Sequence, residues 1–160
     1  MNRAIRFCCV SIVMGMCLNL YAGEAKKVTP KSVTASSTQD ETESDGALKF
    51  DAKYAVDGNK ETRWSSAFEN NQWIELDLEK KVAITKVVLL WEAAYAQSYK
   101  LEVSANGKKW KTIYSKENGA GGEEVIDLDK PEKARFIRMT GIKKATDWGF
   151  SLFEFEVYTK

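Results

Sequence analysis

Tyr54-Ala-Val-Asp-Gly-Asn-Lys-Glu-Thr-Arg-Trp-Ser-Ser66 is answered near the other end of the chain by Trp148-Gly-Phe-Ser-Leu-Phe-Glu-Phe-Glu-Val-Tyr158. In the first stretch, Asp57-Gly58-Asn59 supplies a tight turn, because Gly and Asn tolerate positive φ. The turn concentrates carbonyl oxygens, one carboxylate and the Thr62 hydroxyl within a few residues, which suits a hard cation. Taken alone, Asp-Gly-Asn reads better as a turn without a metal. The second stretch reads as a terminal strand over 150–158. Between them lies Trp91-Glu-Ala-Ala-Tyr-Ala-Gln-Ser-Tyr-Lys-Leu-Glu-Val-Ser104, with a strand end, a loop and a new strand.

Outward from these stretches the apolar period is two rather than 3.6. Ile74, Leu76 and Leu78 alternate with Glu75, Asp77 and Glu79, and Phe136 and Ile137 run between Arg135 and Arg138. Strands are expected near 33–37, 73–78, 83–91, 99–104, 110–115, 123–128, 134–140 and 150–158. Ala105-Asn106-Gly107-Lys108 is a hairpin turn between two of them. Nothing argues for a long helix, and there is no internal repeat. About eight short strands with regular turns predict an all-β domain, a β-sandwich or jelly roll.

Together the three stretches resemble the discoidin domain, also called coagulation factor 5/8 type C or family 32 carbohydrate-binding module, over roughly residues 30 to 160. The resemblance implies a galactose-binding-domain-like jelly roll with a structural calcium ion. Its ligands, carried onto matching positions, are the carbonyls of Tyr54, Asn59 and Phe153, the Asp57 and Glu154 carboxylates, and Thr62 through hydroxyl and carbonyl. Calcium takes six to eight oxygens in flexible geometry, which suits this set better than magnesium.

A glycan site needs an exposed aromatic platform beside groups that make charge-assisted hydrogen bonds. The motif clusters Arg63, Phe68, Glu92, Tyr95 and Trp148. The subgroup with Trp-Glu-x-Ala-Tyr and a Gly-aromatic-Ser-Leu close looks like the modules attached to bacterial chitosanases and glucanases. That likeness implies Arg63, Glu92 and Trp148 as the sugar contacts, with Glu41 or Glu43 as candidates from the first loop. Trp64, Trp73, Trp91, Trp110 and Tyr99 read as core or core-edge packing, since large aromatics are mostly buried in sandwiches. Arg63 reads evenly as a ligand or as an orienting ion pair, and Trp148 as the tryptophan expected to be exposed.

Arg3 and Arg6 followed by an apolar run over 7–20 are expected to form a signal peptide through residue 25, with cleavage after Ala22 or Ala25. Residues 26–32 read as a short linker and 33–160 as the domain. The run is too short for a permanent membrane span, and no later stretch reaches that length. Lipid attachment at Cys17 is the alternative, with Met16 a poor fit before it. All three cysteines lie in the signal, so the exported domain is expected to hold its ends without the disulfide usual in animal discoidin domains. About 135 residues remain, enough for one core.

With cleavage after Ala25, Arg3 and Arg6 of the 24 basic residues leave with the signal, and Glu24 of the 23 acidic residues, so the expected mature charge is zero. A nucleic-acid binder normally shows a basic excess, and no basic face is visible in the sequence. Histidine is absent, which removes the commonest general base and transition-metal ligand.

The reading is a secreted, periplasmic or surface non-catalytic carbohydrate-binding module for a polysaccharide or cell-surface glycan, with a separately encoded glycoside hydrolase as a candidate partner. Protein or phospholipid adhesion is the alternative. Animal domains of that kind use apolar loop tips rimmed by Lys and Arg, and no apolar tip is evident here. A glycosidase pairing Glu92 with Glu41 ranks last. A shallow, exposed site predicts weak affinity, on the order of 0.1 mM or about −5.5 kcal/mol.

Overall fold

The computed structural model describes residues 24–39 and 50–160. The expected signal segment, with Cys8, Cys9 and Cys17, and the candidates Glu41 and Glu43 lie outside the described residues. The elements are β1 (Lys26–Lys27), β2 (Ser32–Ala35), a single 3-10 turn (Ala52–Ala55), β3 (Trp64–Ser65), β4 (Gln72–Trp91), β5 (Ala96–Ser104), β6 (Lys111–Lys116), β7 (Glu123–Lys144) and β8 (Ser151–Thr159). All pairings are antiparallel, in the order β1-β8-β4-β7-β5-β6, with β2 also on β4 and β3 on β8. No helix among the described residues is long and apolar enough to cross a membrane.

Two long strands build both layers of the sandwich. The first half of β4 pairs with β2 and the last part of β7, from Gln72↔Gly141 to Asp77↔Phe136. Its second half pairs with β8 and the first part of β7, ending at Leu90↔Glu123. The expected strands 73–78 and 83–91 are therefore halves of β4, and 123–128 and 134–140 are halves of β7. The register breaks between Asp77 and Val82, where the sheet folds over. Glu79 there has φ +69°, its N–H donates to Asp77 Oδ1 at 2.8 Å, and Arg135 donates to both Asp77 oxygens at 2.8 and 2.7 Å. That fork holds Asp77 below its ordinary carboxylate pKa, the Arg135 hydrogen bond outweighing partial burial.

The period-two pattern does the packing. Ile74, Leu76, Leu78, Ile84, Val87, Leu89, Leu101, Ile137, Met139, Leu152, Phe155 and Val157 are all buried in one core. Each such side chain contributes about 1.5–3 kcal/mol by leaving water. Trp64, Trp91 and Tyr99 join the core as expected. Trp73 and Trp110 lie instead on an outer face, half-exposed, with the Arg138 guanidinium between their rings at 4.6 and 3.9 Å. Glu75 accepts from Arg138 at 2.8 Å.

The stretch 26–32, read as a linker, departs from that expectation. Lys26 and Lys27 pair with Thr159 and Tyr158, the Val28 N–H donates to the Val157 carbonyl at 2.8 Å, and Ser32 already begins β2.

Candidate functional site

Both halves of β4 and β7 return to one end of the sandwich, so the loops 66–71, 92–95 and 145–150 converge there. Backbone hydrogen bonds stitch them together. The Ser66 N–H donates to the Phe150 carbonyl and the Phe150 N–H to Ser66 Oγ, each at 2.9 Å. The Glu92 N–H donates to the Ser151 carbonyl at 3.0 Å, Ser151 N–H to the Ala94 carbonyl at 2.8 Å, and Ala145 N–H to the Tyr95 carbonyl at 3.0 Å. Gly149 lets the strands of this junction meet: a Cβ there would lie 2.4 Å from the Ala67 carbonyl oxygen and 2.5 Å from Ser66 Oγ.

On this frame Phe68 and Trp148 stand out into solvent, 45% and 59% exposed, with ring centroids 5.2 Å apart and edge to face. This corrects the expectation that no loop tip is apolar. Their flanking acids, Glu69 and Asp147, are not the cationic rim of a lipid-binding spike. Lys144, at the end of β7, donates through Nζ to the carbonyls of Phe68 at 3.0 Å and Asp147 at 2.7 Å, and its N–H donates to Asn70 Oδ1 at 3.0 Å. It clamps the two aromatic-bearing loops at a fixed separation. Sequence reasoning missed Lys144 and Asn70, because neither stands in a motif and their role exists only once the loops meet.

Arg63 precedes β3. Its guanidinium lies over the Phe50 ring at 4.7 Å, and its Nε is buried without a hydrogen-bond partner among the described residues. No described carboxylate forms an ion pair with it, so the structural alternative of an orienting salt bridge has no support there. Glu92 Oε2 accepts from the Ala94 N–H at 2.9 Å, which aims the carboxylate from the loop and leaves Oε1 without a partner among the described residues. Tyr95 is half-buried with its ring against Gly121, where a Cβ would fall 2.8 Å from the ring, so it supports the loop 119–122. Phe68 and Trp148 are thus in contact, Glu92 is tied to the same junction through its backbone, and no side-chain bond joins Arg63, Glu92 and Trp148 to one another. The arrangement offers an aromatic platform with a guanidinium and a carboxylate on neighbouring loops.

The Asp57 turn forms as its residues dictate. Gly58 has φ +79°, and Asp57 Oδ1 accepts from the Asn59 N–H at 2.9 Å. Thr62 Oγ1 donates to Asp57 Oδ2 at 2.7 Å or to the Asn59 carbonyl at 2.9 Å. Tyr54 lies in the preceding 3-10 turn, while Phe153 and Glu154 lie on β8. Glu154 is 3% exposed, and among the described residues neither of its carboxylate oxygens has a hydrogen-bond partner of good geometry, the backbone N–H of Gly58 being the nearest polar group that favours its charge. Burial raises its pKa, opposed by the charge of Lys27, whose Nζ sits 3.7 Å away, too far for a hydrogen bond. Among the described residues no three acidic or other metal-ligating side chains cluster. A cation here would rest on two carboxylates, the Thr62 hydroxyl and otherwise carbonyls, as the expected set does. The orphaned, buried Glu154 carboxylate fits such an ion.

Residues 32–155 match the family model of the F5/8 type C domain. Chitosan-binding module 1 of the chitosanase/glucanase from Paenibacillus sp. IK-5 is 37% identical, with a TM-score of 0.74 over 84% of this chain and 98% of that one. Module 2 of the same enzyme, solved in complex with chitotriose, is 35% identical at a TM-score of 0.74, over 82% of this chain and 98% of the module. The polysaccharide lyase 8 family protein HylA of Enterococcus faecalis is 33% identical over 120 residues, which is 70% of this chain but 9% of that protein. With the sandwich, the Asp57 turn and the convergent loops in place, the chain belongs to the F5/8 type C, or discoidin, domain family.

Proposed function

We propose that this chain is a non-catalytic glycan-binding module that holds a saccharide at the loop end through Arg63, Glu92 and Trp148, with Phe68 extending the platform and Tyr95 supporting it. The exposed Phe68–Trp148 pair beside a guanidinium and a carboxylate carries the reading. Sugar rings present C–H faces to aromatic rings and hydroxyl edges to charged groups. The likeness to two chitosan-binding modules supports an amino sugar polymer as the first ligand to test, since Glu92, Glu69 and Asp147 place acidic groups around the platform. The proposal includes a structural calcium ion held by Asp57, Thr62, Glu154 and the carbonyls of Tyr54, Asn59 and Phe153. It also includes export from the cytoplasm, and action beside a separately encoded glycoside hydrolase.

Calorimetric titration with chitotriose, laminaritriose and galactose tests the site. Truncating a charged hydrogen-bonding partner costs about 1.5–3 kcal/mol, which is roughly a ten- to hundredfold loss of affinity. Arg63→Ala, Glu92→Ala and Trp148→Ala are each expected to weaken saccharide binding by at least that lower factor while melting within a few degrees of wild type. Three folded variants with wild-type affinity would place the site elsewhere. Wild-type binding to phosphatidylserine vesicles with no saccharide bound would favour the adhesion reading.

A further inference from the structure

At the end of the sandwich opposite the aromatic platform, three bends meet: the fold-over of β4, the β5–β6 turn and the fold-over of β7. Ser104 pairs with Phe136 and Val103 with Lys111, and Val82 pairs with Ala134, which brings residues 79–82, 105–111 and 129–134 side by side. Between the β5–β6 turn and the β7 bend lies an open cleft of about 270 Å³. Its walls include Val103, Ala134 and Trp110, and its rim carries Lys109, Lys111 and Lys133, with Glu132 paired to Lys111 among them.

The charge at this end is one-sided. Lys80, Lys81, Lys108, Lys109, Lys130 and Lys133 are all exposed, and none has an ion-pair partner among the described residues. The nearby acids are mostly engaged: Asp77 by Arg135, Glu132 by Lys111 through both oxygens at 2.8 Å, and Glu79 by Lys31 at 4.0 Å. Asp127 and Asp129, both exposed and without an ion-pair partner among the described residues, are left to offset six lysines. The expectation from net charge, that the chain has no basic face, therefore fails at this end. Lysines contributed by separate segments sum to nothing in a neutral total but add locally once folding brings them together.

The supporting backbone is fixed. Asn106 Oδ1 accepts from the Lys108 and Lys109 N–H groups at 3.0 and 3.2 Å, Ser104 Oγ accepts from the Gly107 N–H at 3.0 Å, and the Phe136 ring lies against Gly107. The lysines of this turn are thus presented on a held frame, which lowers the ordering cost of binding.

We propose that this end is a second binding surface, independent of the platform site, for an acidic polysaccharide, a linear glycan carrying carboxylate or sulfate groups. The six ammonium groups are point charges suited to dispersed anions along a chain, and the Val103, Ala134 and Trp110 walls offer apolar contact to sugar C–H groups between them. A bilayer is a poorer fit, because the one large aromatic of the three bends, Trp110, is held against the Arg138 guanidinium at 3.9 Å rather than standing free to insert between lipids. A module with opposite ends of different preference would bridge two glycans of different charge.

The test uses the secreted full-length chain on immobilised heparin and polygalacturonate at 50 mM and 300 mM NaCl. Wild type is expected to be retained by at least one of them at the lower salt and released at the higher, since screening tightens from about 14 Å to about 6 Å over that range. Lys109→Gln with Lys133→Gln is expected to weaken retention at least fivefold. The charge-matched pair Lys26→Gln with Lys143→Gln, two exposed lysines elsewhere, is expected to change it less than twofold. Trp148→Ala is expected to keep retention intact. Equal loss in both lysine pairs would overturn the proposal in favour of net charge alone. No retention of either polymer by wild type would overturn it outright, as would binding to phosphatidylglycerol vesicles but to neither polymer.

Discussion

Gly149→Ala perturbs the junction on which the platform depends without removing any side chain that would touch a sugar. The added Cβ would lie 2.4 Å from the Ala67 carbonyl oxygen, 2.5 Å from Ser66 Oγ and 2.7 Å from the Ser66 carbonyl oxygen. Two of those atoms are backbone and cannot swing aside. The segments 66–68 and 148–150 must therefore separate, which breaks the paired Ser66–Phe150 hydrogen bonds, both 2.9 Å long. Losing both bonds costs about 1–3 kcal/mol, and residual overpacking adds about 1 kcal/mol. The expected destabilisation is about 2–4 kcal/mol, or roughly 6–20 °C in melting midpoint at this size. Phe68 and Trp148 sit on the two segments that move, so saccharide affinity is expected to fall at least tenfold in variant that is still folded. Thermal melts by circular dichroism and chitotriose titration at 10 °C, where the variant remains folded, measure both effects. Gly122→Ala is the control: its Cβ meets nothing within 4 Å, and the cost is only that of φ +71°, about 1–2 kcal/mol, with affinity unchanged. A Gly149→Ala protein with wild-type melting and wild-type affinity would refute this account of how the platform is held.

Calcium at 100 times its dissociation constant is expected to raise the melting midpoint by several degrees, since such binding contributes about 2.7 kcal/mol, and chelator is expected to reverse it. Glu154→Gln should abolish the response yet melt no lower than wild type in chelator, because it removes a carboxylate whose charge is penalised foremost by burial; a full calcium response in that variant would take Glu154 out of the site. In acid, the folded pKa of Asp77 is depressed below 3.8, so its contribution is present above that value and lost as pH falls through the depressed one. Asp77→Asn is accordingly expected to flatten the acid limb of the stability curve below about pH 4, and an unchanged limb in urea titrations would refute the role of the Arg135 fork. If the chain is exported as proposed, mass spectrometry of the mature protein should find its N-terminus between Gly23 and Lys27; a diacylated Cys17 would make it a lipoprotein instead.

The alternation in 73–78 made that strand readable, because one face of it had to enter the core, whereas the last strand, whose buried residues do not alternate, was legible through its apolar and aromatic content. What the sequence hid was that neighbouring strands are continuous. Glu79 takes the left-handed conformation at the fold-over of β4, where Gly or Asn would have signalled a bend, and only the Asp77 side chain and its Arg135 partner explain the choice. The two-residue strands β1 and β3 carry too little pattern to be seen. At the platform, the types and spacing of Arg63, Glu92 and Trp148 were legible through family likeness, and the exposure of Trp148 through its irregular polar surroundings. The Phe68–Trp148 contact and the Lys144 clamp were not, since both depend on loops distant in sequence. Trp73 and Trp110 show the limit of reasoning from residue type: each packs, but against a guanidinium on an outer face rather than within the core.

Because β4 and β7 each run through both layers, neither layer possesses a full set of strands of its own. Peeling one layer away would strip half the ladder partners from two strands of the other, so amides in the two halves of β4 should exchange through a single opening event of one shared free energy. The same continuity suggests an order of assembly. Leu90↔Glu123 closes the shortest loop between the two strands and Gln72↔Gly141 the longest, and closure entropy grows with loop length. Pairing should start beside the Leu90 end and zip through the fold-over, making formation of the second layer a propagation step rather than an independent search, in a chain whose non-local pairings place it among the slower-folding topologies.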